Sequence, residues 1–300
     1  MSEEQQETRT QQRSIPTQNF RKDEETKVDK GFWHRFKKWF VWFYELTITI
    51  IIKILRYDPS TNKLLPKHIA FIMDGNRRWA NKKKIPIKEG HKSGYKKLKQ
   101  CLNWCVMLGV KTVTVYAFSI DNFKRDKTEV DNIMDLMDGR FKDMFTKRRT
   151  FIDKYRVILR VLGDINLFPP HVQESARKAM EYSRQTNEKF GDDVLILNLC
   201  CPYTSTFEIE NAMSTYIANQ VEGKKNTTTC DTNKLEPYFM TNSEPDIVIR
   251  TSGETRLSDF LTWQCEKSMI HISSLYWPEF SFWQLVSVVL QYQHYMLQKS

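Results

Sequence analysis

The sequence has 300 residues, of which 40% are hydrophobic and 13% aromatic, so it can bury a sizeable core. This composition excludes a wholly disordered chain. The formal net charge of +10 indicates an anionic partner, namely nucleic acid, an acidic membrane surface or a phosphorylated substrate, although a solvated basic surface explains the charge without any partner.

The first 60 residues differ in composition from the rest of the chain. Residues 1–31 are rich in Gln, Glu, Thr, Arg and Lys, which predicts a disordered polar tail. In residues 32–60, aromatic and aliphatic side chains recur at helical spacing with basic residues between them. They predict an amphipathic helix that lies on a membrane surface or packs on the protein's own body or a partner. A membrane span is less favoured, because Glu45 and Lys53 interrupt a stretch of minimum spanning length.

Residues 61–300 alternate between short β-type runs and helical stretches, which predicts one catalytic α/β domain. Near-continuous Val, Ile and Leu runs are typical of parallel strands that are covered on both faces. We therefore expect a mostly parallel central sheet of about six strands flanked by helices. The strands are predicted at 68–73, 112–118, 157–162, 194–199, 246–250 and 270–272, and the helices near 91–108, 128–150, 170–189, 205–221 and 258–267, and after Pro278.

The first predicted strand is followed by Asp74, Gly75, Asn76, Arg77 and Arg78. Ligands of parallel α/β sheets bind beyond the carboxyl ends of the strands. The glycine permits a tight turn, and a helix beginning at Asn76 would offer free N–H groups to an anion. The two arginines suit phosphate oxygens, whereas the aspartate suits a Mg²⁺ ion shared with a diphosphate. No Walker A lysine motif is present, which excludes an ordinary P-loop, and the motif alone is equally a simple turn.

Two further strand ends carry similar chemistry. Each of them alone is explained by a helix cap or a solvated loop. Three such ends at one edge of a parallel sheet indicate instead a phosphate-binding site. The second predicted strand is followed by Ser119, Asn122 and Arg125, and the fifth ends in or is followed by Arg250, Arg256 and Ser258.

Several segments together resemble the cis-prenyltransferase family, in order over roughly residues 67–298. The nearest branch is the eukaryotic one, the dehydrodolichyl diphosphate synthases. The resemblance implies an enzyme that adds isopentenyl diphosphate in cis to an allylic primer, usually farnesyl diphosphate, with Mg²⁺ as cofactor, for dolichol synthesis and protein glycosylation. The segments are His68–Ala80, Glu89–His91, Tyr116–Arg125, Val161–Asp164, Ile249–Gln264 and Leu275–Phe280.

The resemblance also implies roles for particular residues. Asp74 would hold Mg²⁺ on the primer's diphosphate, and His91 would sit near both substrates. Ser119 and Asn122 would flank the proton that isopentenyl diphosphate loses; an amide is a poor base, so Asn122 would orient that proton toward a diphosphate oxygen. The primer's diphosphate would be held by Gly75, Asn76, Arg77 and Arg78, the isopentenyl diphosphate by Arg250, Arg256 and Ser258, and Trp79, Phe123 and Arg125 would also bind substrate.

The sequence departs from the family pattern in ways that bear on its partners. Homodimeric bacterial members have a second metal-binding Glu where this chain has Met269, and this sequence lacks their Arg-x-Gly end. The resemblance therefore implies a heteromer in which a related accessory subunit supplies that tail, with weak or no activity for this chain alone. It also implies a peripheral location on the cytosolic face of the endoplasmic reticulum membrane, with lipid droplets as a second location.

The sequence also suggests two alternatives to a catalytic cis-prenyltransferase subunit. A non-catalytic interaction subunit of the same complex has no reason to retain the whole set of site residues. A nucleic-acid binder fits the net charge, but the sequence has no helix-turn-helix, zinc-finger or RNA-binding signature, so we expect no nucleic-acid partner. The apolar residues of the predicted helix 128–150 either line a product tunnel or, as we prefer, belong to the core.

Overall fold

The structure, a computed structural model, describes residues 46–53, 64–147, 150–191, 193–222 and 232–299. No helix within these ranges combines the length and the apolar character needed to cross a membrane.

The chain divides into two compact units, residues 1–50 and 51–300. The described residues of the first unit, 46–50, are helical, and the helical residues 46–53 are named α1. The predicted polar tail and most of the predicted amphipathic segment, residues 32–60, lie outside the described residues. The disorder of the tail and the membrane or partner contact of that segment therefore stay predictions.

The second unit is built on a parallel sheet connected by helices. The strands are β1 His68–Ile72, β2 Thr112–Tyr116, β3 Val157–Leu162, β4 Leu195–Cys200, β5 Ile247–Arg250 and β6 Met269–Ile272. The helices are α2 Asn76–Lys82, α3 Ile87–Leu108, α4 Lys127–Thr146, α5 Phe151–Tyr155, α6 Pro170–Asn187, α7 Ser205–Glu222, α8 Thr232–Leu235 and α9 Phe282–Lys299.

The six strands pair in the order β3-β4-β2-β1-β5-β6, and every pairing is parallel. The predicted fold class, a six-stranded parallel sheet flanked by helices, is confirmed. Strands β1 and β5 are buried along their whole length, which explains their continuous runs of apolar residues. Tyr116, Ile72 and Arg250 are the last residues of three neighbouring strands and are paired in register. The segments that follow these strands therefore leave the sheet at the same level.

The predicted helix at 258–267 is wrong. This segment is a series of turns, in which Ser258, Asp259 and Leu261 have φ values of 53°, 60° and 45°. Side chains other than glycine rarely adopt this left-handed region, and it is incompatible with a right-handed helix. The helix predicted at 128–150 is shorter in the structure, where α4 runs over Lys127–Thr146.

Candidate active site

A cavity of about 750 Å³ opens where β1, β2 and β5 end. It receives polar side chains from the segments after all three strands, as the sequence predicts. One part of its wall is apolar and includes Ile72, Ala117, Phe118 and Ile133. The predicted site residues that line it are Asp74, Gly75, Asn76, Arg77, Arg78, His91, Ser119, Asn122, Arg125, Arg250, Arg256 and Ser258.

Two predicted substrate-binding residues, Trp79 and Phe123, are not among the residues that line this cavity. The ring of Phe123 instead packs edge-on against Phe118, with 4.9 Å between the ring centroids. Trp79 is half-buried in α2, where its backbone N–H donates to the carbonyl of Gly75. Direct contact between these two side chains and a substrate therefore stays a prediction.

Asp74 and Arg250 form the centre of the site. Arg250 Nη2 donates to Asp74 Oδ2 at 2.9 Å, and the arginine side chain is only 4% exposed. Its other terminal nitrogen, Nη1, donates to Ser258 Oγ at 2.7 Å and to the carbonyl of Arg256. The planar guanidinium therefore connects the end of β1 to the loop after β5, a geometry that its fixed fork of donors permits.

Gly75 makes the turn between β1 and α2 with φ of 96°, a conformation that favours glycine. A Cβ atom at this position would lie 2.7 Å from Cδ1 of Tyr276 and 3.2 Å from the Cβ of Ser252. The backbone N–H of Gly75 donates to Asp74 Oδ1 at 2.6 Å, which fixes the carboxylate toward the turn. Helix α2 then begins at Asn76, the position at which the sequence analysis considers a helix start.

The arginines of α2 are held by two carboxylates that the sequence analysis does not identify. Glu129 on α4 accepts from Arg77 at 3.1 Å and from Arg125 at 2.9 Å. Glu254, in the loop after β5, accepts from Arg78 at 3.0 Å and from Arg256 at 2.5 Å. Four of the predicted substrate-binding arginines are thereby paired with carboxylates, and they can exchange these carboxylates for phosphate oxygens.

The ion pairs around Glu254 also affect its own protonation. The hydrogen bond from Arg256, together with the charges of Arg256 and Arg78, holds the pKa of the Glu254 carboxyl below its ordinary value. This carboxylate therefore stays ionised through the neutral pH range.

His91 lies on α3 and faces the cavity. Burial lowers the pKa of His91, opposed by the charge of Glu129 and reinforced by Arg125 and Arg77. Its buried Nε2 has no hydrogen-bond partner among the described residues. A neutral imidazole with an unused nitrogen is therefore available to a bound substrate near neutral pH.

Ser119 and Asn122 form a capping box at the short 3₁₀ helix Ile120–Lys124. The side chain of Ser119 accepts from the N–H of Asp121 at 3.2 Å, and Asn122 Oδ1 accepts from the N–H of Ser119 at 3.2 Å. The cap alternative from the sequence analysis is thus confirmed for this segment. Both residues nevertheless line the cavity, so the cap also fixes two polar groups beside the arginines.

Tyr116, the last residue of β2, is a further cavity residue that the sequence analysis does not single out. Its hydroxyl contacts the carbonyls of Tyr203 and Ser258, both at 3.2 Å. Burial raises the pKa of Tyr116, so the hydroxyl remains protonated and can donate. From the sequence alone, Tyr116 is recognisable only as an aromatic residue in a strand, because its two hydrogen-bond acceptors are 87 and 142 residues away.

Within the described residues, no group of three or more His, Cys, Asp or Glu side chains is arranged to hold a metal ion. The carboxylate of Asp74 fits Mg²⁺, because it lines the cavity and is 31% exposed. Mg²⁺ commonly combines one or two carboxylates with substrate phosphates. Met269 does not add to this site. It pairs with Ile247 at the start of β5, the opposite end of that strand from Arg250.

Comparisons with known proteins agree with this architecture. The family model described as "Putative undecaprenyl diphosphate synthase" matches residues 72–298. The human dehydrodolichyl diphosphate synthase complex subunit DHDDS is 44% identical over 240 residues, which cover 79% of this chain and 70% of the human protein. A tritrans,polycis-undecaprenyl-diphosphate synthase (geranylgeranyl-diphosphate specific) of Pyrococcus abyssi is 38% identical over 232 residues, covering 77% of this chain and 85% of that protein.

A solved structure shows the same fold. Lavandulyl diphosphate synthase from Lavandula x intermedia, in complex with dimethylallyl diphosphate, gives a TM-score of 0.68 at 27% identity. The similarity covers 77% of this chain and 96% of that one. The family model, the relatives and the fold all confirm the resemblance seen in the sequence motifs, and the chain belongs to the cis-prenyltransferase family.

Proposed function

We propose that this chain is the catalytic subunit of a heteromeric dehydrodolichyl diphosphate synthase. It adds isopentenyl diphosphate units in cis to farnesyl diphosphate and makes long polyprenyl diphosphate for dolichol and protein glycosylation. The observation that carries the proposal is the cavity at the ends of β1, β2 and β5, which Asp74 and several arginines line together with an apolar wall. Such a cavity suits two diphosphates and a hydrocarbon tail.

The first chemical requirement is the departure of diphosphate from the allylic primer. Arg77 and Arg78 are 51% and 44% exposed at their side chains and can turn from their carboxylate partners to phosphate oxygens. Asp74 would hold Mg²⁺, which when bound supplies positive charge to the departing diphosphate. Arg250 fixes the carboxylate of Asp74 before substrate arrives, so little reorganisation is needed during the reaction.

The second requirement is to place isopentenyl diphosphate beside the primer and to remove its proton. Arg256 and Ser258, on the loop after β5, face the segment after β2 across the cavity. The amide of Asn122 and the hydroxyl of Ser119 are positioned by their own cap to orient the proton toward a diphosphate oxygen. Ile72, Ala117 and Phe118 give the cavity an apolar wall, which would keep water from the allylic carbon and so protect the developing charge from hydrolysis.

A non-catalytic interaction subunit of the same complex is the alternative, since relatives named as complex subunits do not separate the two roles. The arrangement of the cavity favours the catalytic role. Asp74, Arg250 and Ser258 are joined by hydrogen bonds of 2.7–2.9 Å, and the α2 arginines face the same space. A subunit that serves only assembly has no physical need for this arrangement.

The test is reconstitution of the full chain with and without a related accessory subunit that carries an Arg-x-Gly tail. Each preparation receives labelled isopentenyl diphosphate with either farnesyl or geranylgeranyl diphosphate, in Mg²⁺ or in excess EDTA. We expect long products from the pair with farnesyl diphosphate, little product from this chain alone, and none in EDTA. Full activity of a pair in which this chain carries Asp74→Asn would contradict the catalytic assignment.

The proposal includes a peripheral site of action on the cytosolic face of the endoplasmic reticulum membrane. It is motivated by the aromatic and basic composition of residues 32–60 and by the lipid nature of the proposed product. Flotation of the full chain with phospholipid vesicles tests it, with Trp33→Glu/Trp39→Glu as the matched variant. We expect the wild-type chain to float and the variant to stay in the dense fraction; equal flotation of both would refute membrane contact by this segment.

A further inference from the structure

Glu208 is a buried carboxylate in the first turn of α7, with 1% exposure. Its Oε1 accepts from the backbone N–H groups of Met240 at 2.8 Å and Thr241 at 3.3 Å. Its Oε2 accepts from the hydroxyl of Tyr203 and from Gln264 Nε2 at 3.1 Å. A buried charge is tolerated only when it is well hydrogen-bonded, and four donors meet this requirement.

Tyr203 connects this carboxylate to the segment after β2. Its backbone N–H donates to the carbonyl of Phe118 at 3.1 Å, and its carbonyl accepts from the N–H of Ile120 at 3.3 Å. These bonds lie on either side of Ser119, whose side chain lines the cavity. Burial and the charge of Glu208 raise the pKa of Tyr203, so its hydroxyl remains a donor to the carboxylate.

Gln264 connects the same carboxylate to the loop that carries Ser258. In this loop Ser258, Asp259 and Leu261 adopt left-handed φ values of 53°, 60° and 45°. Strained residues of this kind persist only where the surroundings hold them, and they concentrate at functional sites. Ser258 and Asp259 both line the cavity, so the strain is located in the wall of the proposed isopentenyl diphosphate site.

The start of α7 holds this strained loop through Ser205 as well. The N–H of Ser205 donates to the carbonyl of Asp259 at 2.8 Å, and Ser205 Oγ accepts from the N–H of Thr262 at 2.9 Å. Ser205 Oγ also lies 3.4 Å from the hydroxyl of Tyr203, which itself donates to Glu208. The strained loop and the segment after β2 are therefore fixed to one buried group.

We propose that Glu208 is a positioning residue that holds Ser258 and Ser119 at the geometry required to bind isopentenyl diphosphate. The inference rests on the proposed function, because that function assigns Arg256 and Ser258 to isopentenyl diphosphate. None of the four donors to Glu208 belongs to Asp74, Arg77 or Arg78. The path from Ser258 to Asp74 runs through Arg250, so we expect the larger effect on isopentenyl diphosphate.

The test compares Glu208→Gln with the wild-type chain in the reconstituted complex. Glutamine keeps the size of the side chain but removes the charge and replaces one acceptor with a donor, which conflicts with the four donors present. We expect the KM for isopentenyl diphosphate to rise at least tenfold and the KM for farnesyl diphosphate to stay within twofold. An unchanged KM for isopentenyl diphosphate, or an equal rise for both substrates, would overturn the proposal.

Two further variants keep the result interpretable. Glu210→Gln removes an exposed carboxylate from the same helix, and we expect both KM values to match the wild type. Gln264→Leu removes the loop's bond to Glu208 while leaving its other three donors, so it tests the same link if Glu208→Gln does not fold. It should raise the KM for isopentenyl diphosphate in the same way; no change would count against the proposal.

Calorimetric titration with isopentenyl diphosphate alone, without primer, separates this inference from the proposed function. A weaker Kd in Glu208→Gln, at least tenfold above the wild-type value, supports the positioning role even where no product forms. Absence of product from the wild-type complex would contradict the proposed function only. Equal Kd values for wild type and variant would contradict the positioning role only.

Discussion

Arg250, the last residue of β5, donates to the carboxylate of Asp74, two residues beyond the end of β1, at 2.9 Å. The two residues are 176 positions apart in the chain, and the parallel pairing of β1 with β5 brings them together. The arginine is buried and the carboxylate is partly exposed to the cavity. The protein therefore holds both carboxylate oxygens, Oδ1 through the N–H of Gly75 and Oδ2 through Arg250, while the side chain stays 31% exposed.

The first prediction concerns Asp74→Asn. The change removes the negative charge that would hold Mg²⁺ and leaves Arg250 without its ionised partner. We expect kcat to fall by about 10²–10³-fold, the usual loss when one preorganised electrostatic contact is removed from an active site. The measurement is incorporation of labelled isopentenyl diphosphate at saturating substrate by the reconstituted complex.

A matched variant, Asp135→Asn, removes an exposed carboxylate on α4. It controls for the loss of one negative charge from a basic protein, and we expect it to retain wild-type turnover. Turnover of Asp74→Asn within threefold of this control would argue against a role for the Asp74 carboxylate.

The second prediction concerns Arg250→Lys. A lysine has one ammonium group and cannot reach Asp74 Oδ2 and Ser258 Oγ at once, whereas the guanidinium reaches them at 2.9 and 2.7 Å. We expect kcat/KM for isopentenyl diphosphate to fall by about 10²-fold, or about 2.7 kcal/mol in transition-state stabilisation.

A double-mutant cycle with Asp74→Asn checks whether the two residues act together. Because they share a hydrogen bond, the double variant should lose much less than the product of the two single losses. Strictly multiplicative losses in kcat/KM would show that the Asp74–Arg250 contact has no part in catalysis.

Much of this site follows from the sequence because its residues immediately follow strands. Asp74 and Arg250 stand at the ends of two apolar runs, and a parallel sheet brings such ends to one edge. The contacts of Glu129 and Glu254 with the arginines could not be predicted in this way. Glu129 lies 52 residues from Arg77, and Glu254 lies 176 residues from Arg78, so only the tertiary fold shows that they meet.

The loop at 258–267 shows why local pattern fails at a functional site. Its apolar and polar residues recur at a spacing that favours a helix. Tertiary bonds from Ser205 and Thr206 to Asp259 hold it in left-handed turns instead. The energy of those contacts exceeds the local helical preference, which amounts to only tenths of a kilocalorie per mole per residue.

The third prediction concerns Gly75→Ala. The added methyl group would meet Cδ1 of Tyr276 at 2.7 Å, and φ of 96° is strained for alanine. We expect the free energy of unfolding to fall by about 1–3 kcal/mol and turnover to fall with it, because the turn sets the position of Asp74. Chemical denaturation and initial rates measure the two effects.

Gly139→Ala is the control for this change. Gly139 lies inside α4, and a Cβ atom there would have no heavy atom within 4 Å. Alanine is the better helix former by about 1 kcal/mol, so we expect this variant to be slightly more stable and fully active. A Gly75→Ala protein as stable as Gly139→Ala would show that the strained turn has no cost.

The last prediction concerns pH and His68, the buried first residue of β1. Its Nε2 is 2.7 Å from Thr114 Oγ1 and its Nδ1 is 2.9 Å from Ser243 Oγ. Burial lowers the pKa of His68 to about 4, opposed by backbone contacts of Glu244 and Ser243 and by the charge of Asp246. The unfolded chain has the ordinary value of about 6.5 and so takes up a proton first as pH falls.

The contribution of neutral His68 to stability is therefore present above pH 6.5 and is lost as pH falls toward 4. Between pH 7 and pH 5 we expect the wild-type chain to lose about 2 kcal/mol more of its unfolding free energy than His68→Gln, which cannot titrate. Urea denaturation of both proteins at the two pH values gives this difference directly. Equal losses would mean that His68 is protonated in the folded protein at the same pH as in the unfolded chain, despite its burial between β2 and the segment before β5.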